Sequence, residues 1–464
     1  MTVKTNIARI GTDTLRVAVG EVSRRSLLLS ISGSGRSVIA GVARCEGPLI
    51  AGVLRSPTIG RSGSSSSMCA SIGVRSYSTL VSTRGIQRNS TGHPSGSRAI
   101  SYETQLYNSQ ENINKLLETH DRSSYLLAQY LPEPARNAFL AIRAFNLEIN
   151  KINDGGNKQD SVASQASQHL SQTMGISTGD IKFKFWSDLL AKVFSDPHSE
   201  KDIGEPIAIL LRDALRNDLN LDIAYFHQFL QTRKHFLSTR SFETVNDICS
   251  YGEGTYSQLN YLTQGLLLSP SISPSTINLL ESSTPLQSNI SDIAAHIGQA
   301  TAVSSMILGL EYYAKSRNQI TLPVNLMTKY DLSQEDVLRL AQGHITEKSQ
   351  ISEIREKLKN VVFDTAVTAN DHILSARSKL QNSRKEIAEI VSKNKSDSLL
   401  QRNSRRWRRG IPDVIFTPFM VAIPTTLYLQ KLEKCDFDLF HPKLHQKEWR
   451  LAWRSFRSYY TRKI

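Results

Sequence analysis

The sequence predicts an all-α protein, one large helical domain behind a long N-terminal tail. Two observations carry this. From about residue 100 onward apolar residues recur at spacings of three and four. No run of alternating residues bounded by turn signals reads as a strand. At 464 residues the chain can bury a large core.

The tail comes first. Residues 1–77 read as a mitochondrial targeting presequence: Ser-rich, Arg-rich and poor in acids. The first hundred residues hold thirteen Lys and Arg against Asp13, Glu21 and Glu46, which is +10 of the formal +14. Apolar runs such as SLLLSISG are too short for a secretory signal or a membrane span. In VRSYST, Arg75 precedes Tyr77 by two residues, a pattern that resembles the arginine-directed site of matrix processing peptidases and puts the mature start near Ser78. Residues 78–99 follow as a flexible linker. The rest of the chain carries only +4, so its charge argues little for nucleic acid. Outside the tail, which holds Cys45 and Cys69, Cys249 and Cys435 form neither a CxxC nor a metal-ligand spacing, as suits a reducing compartment.

Residues 100–464 form the helical domain. LPEPARNAFLAIRAFNLEINKINDGG opens at Pro132 and Pro134 and is expected to stop at Gly155 and Gly156. Phe139, Ile142, Phe145, Ile149 and Ile152 make its buried stripe, and Arg143, Asn146, Asn150 and Asp154 a polar stripe beside it. Further helices are expected at FKFWSDLLAKVF, PIAILLRDALRN, AYFHQFLQTRKHFL and KLKNVVFDTAVTANDHILSARSKL, with polar loops near 155–180 and 268–290. Ser333 and Asp336 read as a capping box. A helix from Ser291 to Lys315 carries Gly298, Ala302, Ser305 and Gly309 as a small-residue spine. Val303, Met306 and Leu310 lie on an adjacent face, either as core or as lining of an apolar pocket for a lipid or isoprenoid chain.

Two C-terminal stretches point outward. RNSRRWRRG sets Arg402, Arg405, Arg406, Arg408 and Arg409 around Trp407, and EWRLAWRSFRSYYTRKI aligns Trp449, Trp453, Phe456 and Tyr460 with Arg450, Arg454 and Arg457 beside them. Such a helix can lie in a membrane interface or pack on the bundle, and the pattern leaves both open. VIFTPFMVAIPTTLYL, broken by Pro418 and Pro424, is short for a membrane span.

The order of LPEPARNAFLAIRAFNLEINKIND, FWSDLLAKVF, RSFETVNDICSYGEGTYSQLNYL, AAHIGQATAVSSMILGLEYY and ITLPVNL resembles the squalene and phytoene synthases, over roughly residues 100–430. That resemblance implies their all-α fold. It also places two Asp-rich magnesium motifs on this chain, and both are degenerate. The ends of the first fall on Asn150 and Asp154. In the second, an arginine becomes Gly309 and the carboxylate positions become Leu310 and Ala314, with Glu311 on another face of the helix. Magnesium between diphosphate oxygens needs several hard oxygen ligands. The resemblance therefore implies a pseudoenzyme with no catalytic residue, no metal and no cofactor.

Within that family the chain is similar to the mitochondrial complex I assembly factor 6 group, through AIRAFNLEI, YGEGTYSQLNYL, AAHIGQA, ITLPVNL and CDFDLFHPKL. What this implies is a non-catalytic assembly factor for NADH:ubiquinone oxidoreductase, peripheral at the matrix face of the inner membrane, early in biogenesis of the membrane arm. Its partners would be complex I subunits or assembly intermediates, NADH dehydrogenase subunit 1 among them, and not nucleic acid. An active or lipid-binding prenyl transferase is the first alternative. An RNA-binding mitochondrial factor is the second, though no recognition module is visible.

Overall fold

In a computed structural model of the chain, the described residues are 101–152, 177–201, 203–239 and 241–464. The expected presequence and linker, Asp154, and most of the loop expected at 155–180 lie outside them. All described elements are helical. The N-terminal half runs α1 Tyr102–His120, α2 Arg122–Ala128, α3 Glu133–Asn150, α4 Thr178–Ser195, α5 Pro206–Arg216 and α6 Ile223–Ser238. Then follow α7 Val245–Gly252, a π-turn Glu253–Ser257 and α8 Gln258–Leu267, continuous in one direction, and α9 Pro274–Glu281. The C-terminal half has α10 Thr284–Arg317, α11 Val324–Lys329, α12 Gln334–Gln342, α13 Lys348–Lys393, α14 Ser398–Ser404, α15 Asp413–Phe416, α16 Ala422–Lys434 and α17 Leu451–Thr461.

The apolar stripe of α3 is buried as its spacing requires. Phe139, Ile142, Phe145 and Ile149 are at most 1% exposed, and Phe145 sits in an aromatic nest of Trp186, Phe226 and Phe229, with centroids 5.2–5.5 Å away. The helix ends at Asn150, short of the expected glycines. Lys151 N–H bonds the Leu147 and Glu148 carbonyls, each at 3.2 Å, and Ile152 N–H bonds Ile149 at 3.1 Å. The last turn thus tightens and satisfies its own carbonyls without a glycine cap.

The loop expected at 268–290 is largely helix instead. It contains α9 and the first turns of α10, which begins at Thr284 rather than Ser291. The serines and prolines there start helices: Ser283 Oγ accepts from Leu286 N–H at 3.3 Å, and Pro274 and Pro285 stand in first turns. Buried Leu286 and Ile290 extend the stripe continued by Ile293 and Ile297. The box at Ser333 is half formed: its hydroxyl accepts from Asp336 N–H at 3.0 Å. Two complete capping boxes, at Ser177 with Asp180 and Thr244 with Asp247, open α4 and α7.

α10 and α13 are the spine of the bundle. α13 is 46 residues, about 69 Å at 1.5 Å per residue. Its buried Ile354, Leu358, Val361, Thr365, Ala369, Ile373, Ala376, Leu380, Ser383 and Ile387 repeat at three and four. α10 is long and apolar enough to cross a membrane, and that apolar character is spent on the core. Against its other side lie α7, the π-turn and α8. A Cβ on Gly298 would fall 2.4 Å from the backbone nitrogen of Ser257, and one on Gly252 would fall 2.7 Å from Ala302 Cβ. Of the expected small-residue spine, Gly298 and Ala302 therefore bring the helices together and Ser305 shares a hydrogen bond with Tyr256 of the π-turn, while Gly309 has only Tyr313 of its own helix nearby. At this crossing Ser257 Oγ, Asn260 Nδ2 and Gln264 Nε2 donate to the carbonyls of Ala295, Ala294 and Ile290 at 3.2, 3.1 and 3.0 Å. The buried polar side chains are thereby satisfied. Val303, Met306 and Leu310 are at most 2% exposed and are core.

Candidate functional site

The polar stripe of α3 brings Arg143 within electrostatic reach of Tyr256 in the π-turn. Arg143 is 8% exposed, its guanidinium lies 5.4 Å from the Phe139 ring, and its Nε has no hydrogen-bond partner. Burial pulls its pKa below the ordinary value, against the pull of Asp121 and Tyr256. Asp121 is itself occupied, accepting from Ser123 Oγ at 2.6 Å and from Ser124 Oγ at 2.5 Å. On α6, Arg233 is 1% exposed and donates to Tyr251 Oη at 2.7 Å. Burial raises the pKa of both Tyr251 and Tyr256, so both are neutral phenols at physiological pH. Among the described residues no carboxylate forms an ion pair with either arginine. Two guanidinium groups are thus held among aromatic rings and phenols, which makes the cluster cationic.

The positions carried over from the magnesium motifs look different. Asn150 is half-buried, and its amide donates to Asn146 Oδ1 at 3.1 Å, closing on a neighbour of its own helix. Leu310 and Ala314 are 1% and 0% exposed, Gly309 is half-buried, and Glu311 pairs with Lys315 at 2.5 Å. Among the described residues no three His, Cys, Asp or Glu converge as a metal site. An amide already hydrogen-bonded and two buried hydrocarbon positions do not fit magnesium. The structure brings Asn150 and Arg143 onto one face of α3, and Asp154 lies outside the described residues.

Two groupings had weak sequence signals. Arg233 sits on the apolar stripe of α6 with Phe226, Phe229, Leu230 and Phe236, where a cation is out of place and therefore noticeable. Cys249, His372 and His296 come from three different helices: Cys249 Sγ lies 3.5 Å from His372 Nε2, and the two Nδ1 atoms are 2.9 Å apart. Burial pushes the Cys249 thiol up to about 11 and, with His296, the His372 ring down to about 4. At neutral pH the chain is uncharged, a hydrogen-bonded clip across α7, α10 and α13 rather than an activated nucleophile.

The C-terminal residues divide. Trp449, Trp453, Phe456 and Tyr460 are 82%, 64%, 47% and 48% exposed, and Arg405, Arg406, Arg409 and Arg457 are exposed too. Four residues of the expected contact set are engaged elsewhere. Trp407 packs partly buried against the core. Arg408 pairs with Asp413 at 2.8 Å and donates to Tyr459 Oη at 3.0 Å. Arg450 pairs with Glu448 at 2.8 Å. Arg454 is half-buried, with burial and Arg457 depressing its pKa. Asp413 and Glu448 thus take up Arg408 and Arg450, the core takes up Trp407, and Arg454 is set back by burial beside like charges.

Comparison with known proteins gives three findings. The family model described as squalene/phytoene synthase matches residues 117–457. The chain is 27% identical over 340 residues to the NADH dehydrogenase (ubiquinone) complex I, assembly factor 6 of Bos taurus, covering 72% of this chain and 76% of that protein. To the assembly factor 6 homolog of Drosophila melanogaster it is 22% identical over 389 residues, covering 82% and 94%. Among solved structures, a dehydrosqualene synthase in complex with ligand has a TM-score of 0.46 at 12% identity, covering 77% of this chain and 97% of that one.

Proposed function

The chain belongs to the squalene/phytoene synthase family, and from that premise we propose that it is a non-catalytic member acting as an assembly factor for mitochondrial respiratory complex I. Similarity to assembly factor 6 proteins over about three quarters of their length or more supports the assembly role. The observation that carries the non-catalytic half is the content of the motif positions: a self-paired amide at Asn150 and buried hydrocarbon at Leu310 and Ala314. A diphosphate cannot be ionised there with magnesium, because the oxygen ligands that would hold the metal are missing from those positions. The finer placement follows the same reading. Residues 1–77 direct import, residues 78–99 link, and residues 100–464 act peripherally at the matrix face of the inner membrane. There they support an early membrane-arm intermediate containing NADH dehydrogenase subunit 1. Purified protein given prenyl diphosphate and magnesium is expected to release no pyrophosphate, while loss of the chain in its own organism lowers assembled complex I. Prenyl-chain product formed at an enzyme's rate sinks the proposal.

One observation favours a second reading, that the site keeps a ligand without chemistry. Arg143 is a buried cation in no ion pair with a described carboxylate, its pKa lowered by burial, and an anionic lipid head would offset that desolvation. Native mass spectrometry of protein purified from mitochondria, with an Arg143→Leu variant beside it, tests this. A lipid adduct that the variant lacks favours it, and no adduct in either rules it out.

A further inference from the structure

The last helix is inside out. Its buried residues are Leu451, Ser455 and Ser458, followed by Arg462 at 4% exposure, while its large rings face water. The inward face is fixed by polar chemistry as well as by the packing of Leu451, Tyr459 and Ile464 against the core. Asp413 accepts from Tyr459 Oη at 2.5 Å and from Arg462, Arg408 stacks 4.7 Å from the Tyr459 ring, and Ser458 Oγ donates to the Lys463 carbonyl at 2.6 Å. The rings outside are therefore held there by a built support. They form one row: Trp453 stacks on Phe456 with centroids 5.9 Å apart, and Phe456 meets Tyr460 at 4.6 Å. Basic residues flank the row. Lys443, Lys447 and Arg457 are exposed along the segment, and Arg405, Arg406 and Arg409 lie in the loop whose Arg408 reaches Tyr459 and Tyr460. Residues 443–463 hold seven Lys and Arg against Glu448 alone.

We propose that this surface, Trp449, Trp453 and Phe456 with Arg405, Arg406 and Arg457, is an interfacial docking face for an anionic lipid bilayer. Indole and phenyl rings favour the headgroup boundary, and arginines beside them meet lipid phosphates. RNA is the poorer fit because base stacking needs open ring faces, whereas Phe456 is already stacked on Trp453 and packed against Tyr460. The proposal gives a physical basis to the membrane placement proposed above, and it is tested without reference to complex I, so either can fail alone.

Because the N-terminal tail is itself basic, contact is read locally, as quenching of tryptophan emission by brominated acyl chains in phosphatidylcholine vesicles with or without phosphatidylglycerol. The full chain is expected to be quenched on the anionic vesicles, and the double variant Trp449→Ser, Trp453→Ser should lose that quenching at unchanged helicity. An arginine near an anionic surface contributes roughly a five-fold gain, so Arg405→Gln, Arg406→Gln and Arg457→Gln together should weaken binding on the order of 100-fold. The proposal is overturned by no quenching, by equal quenching on neutral vesicles, by quenching that survives either variant, or by single-stranded RNA outcompeting vesicles for the same tryptophans.

Discussion

Helices α3 and α17 carry large apolar residues at the same spacing of three and four and bury opposite faces. In α3, Phe139, Phe145 and Ile149 are at most 1% exposed and the polar residues are pushed to the side. In α17 the rings are outside, and Ser455, Ser458 and Arg462 are inside, at 0%, 5% and 4%. An amphipathic stripe says only that something apolar must cover it. In α3 the cover is the rest of the chain; for α17 no described residue supplies it.

The sharpest way to break this comparison is to remove one ring from each helix. Phe145→Ala empties the nest of Trp186, Phe226 and Phe229 and should cost about 3–5 kcal/mol of unfolding free energy in chemical denaturation. Trp453→Ala, at a ring that is mostly solvated, should cost about 0.5 kcal/mol or less. If the two losses are comparable, α17 contributes to the core after all and the docking proposal loses its premise.

Next in size is the crossing of α10 with the π-turn. Gly298→Val drives two methyls into the Ser257 backbone and should cost about 1–3 kcal/mol, at the upper end because backbone cannot step aside. Gly309→Ala, on the same helix beyond the close approach, where only Tyr313 of that helix is near, should cost well under half of that; equal losses would mean that the whole small-residue row is in contact.

How much of this was legible beforehand differs along the chain. The stripe of α3 and the bounds of α5 and α6 follow from periodicity, because local spacing decides them, whereas α4 begins at Thr178, inside the expected loop, and the same spacing left open which way the C-terminal rings face. The start of α10 does not, since Ser283 and Pro285 look like loop chemistry until buried Leu286 and Ile290 show them to be a helix start. The cluster of Arg143, Arg233, Tyr251 and Tyr256 is drawn from α3, α6, α7 and the π-turn, and only tertiary packing joins such positions. Arg408 and Arg450 differ from that cluster, because their partners Asp413 and Glu448 stand five and two residues away in the sequence and claim them at 2.8 Å.

A smaller effect separates the neutral clip from the charged surface. His372 has its folded pKa depressed to about 4 from an ordinary 6.5, by burial first and by His296 second. The folded state therefore binds fewer protons than the unfolded state between those values. The stabilisation is complete above about pH 6.5 and is lost as pH falls toward 4. Discounted for a ring that is partly exposed, the loss is about 1–2 kcal/mol. His372→Gln should flatten that part of the stability profile measured by thermal unfolding, and an unchanged slope would assign it to other groups.

The smallest expected effect bears most on function. Asp154 is the one carboxylate left in the sequence at the ends of the first motif, opposite Asn150 four residues before it. If the site does no chemistry, Asp154→Asn should leave assembled complex I at its normal level, because one carboxylate cannot hold magnesium between diphosphate oxygens and its loss removes no reaction. A catalytic site demands the opposite, since metal-assisted departure of diphosphate does not tolerate losing a ligand. Protein abundance must be read beside complex I on native gels, because a lost structural hydrogen bond at about 1–3 kcal/mol would deplete the protein and mimic a loss of activity. Depleted protein with proportionately depleted complex I would mark Asp154 as structural. Full protein level with complex I abolished would restore chemistry to the NKIND segment, and the contrast between a silent centre and a working surface would then have to be reversed.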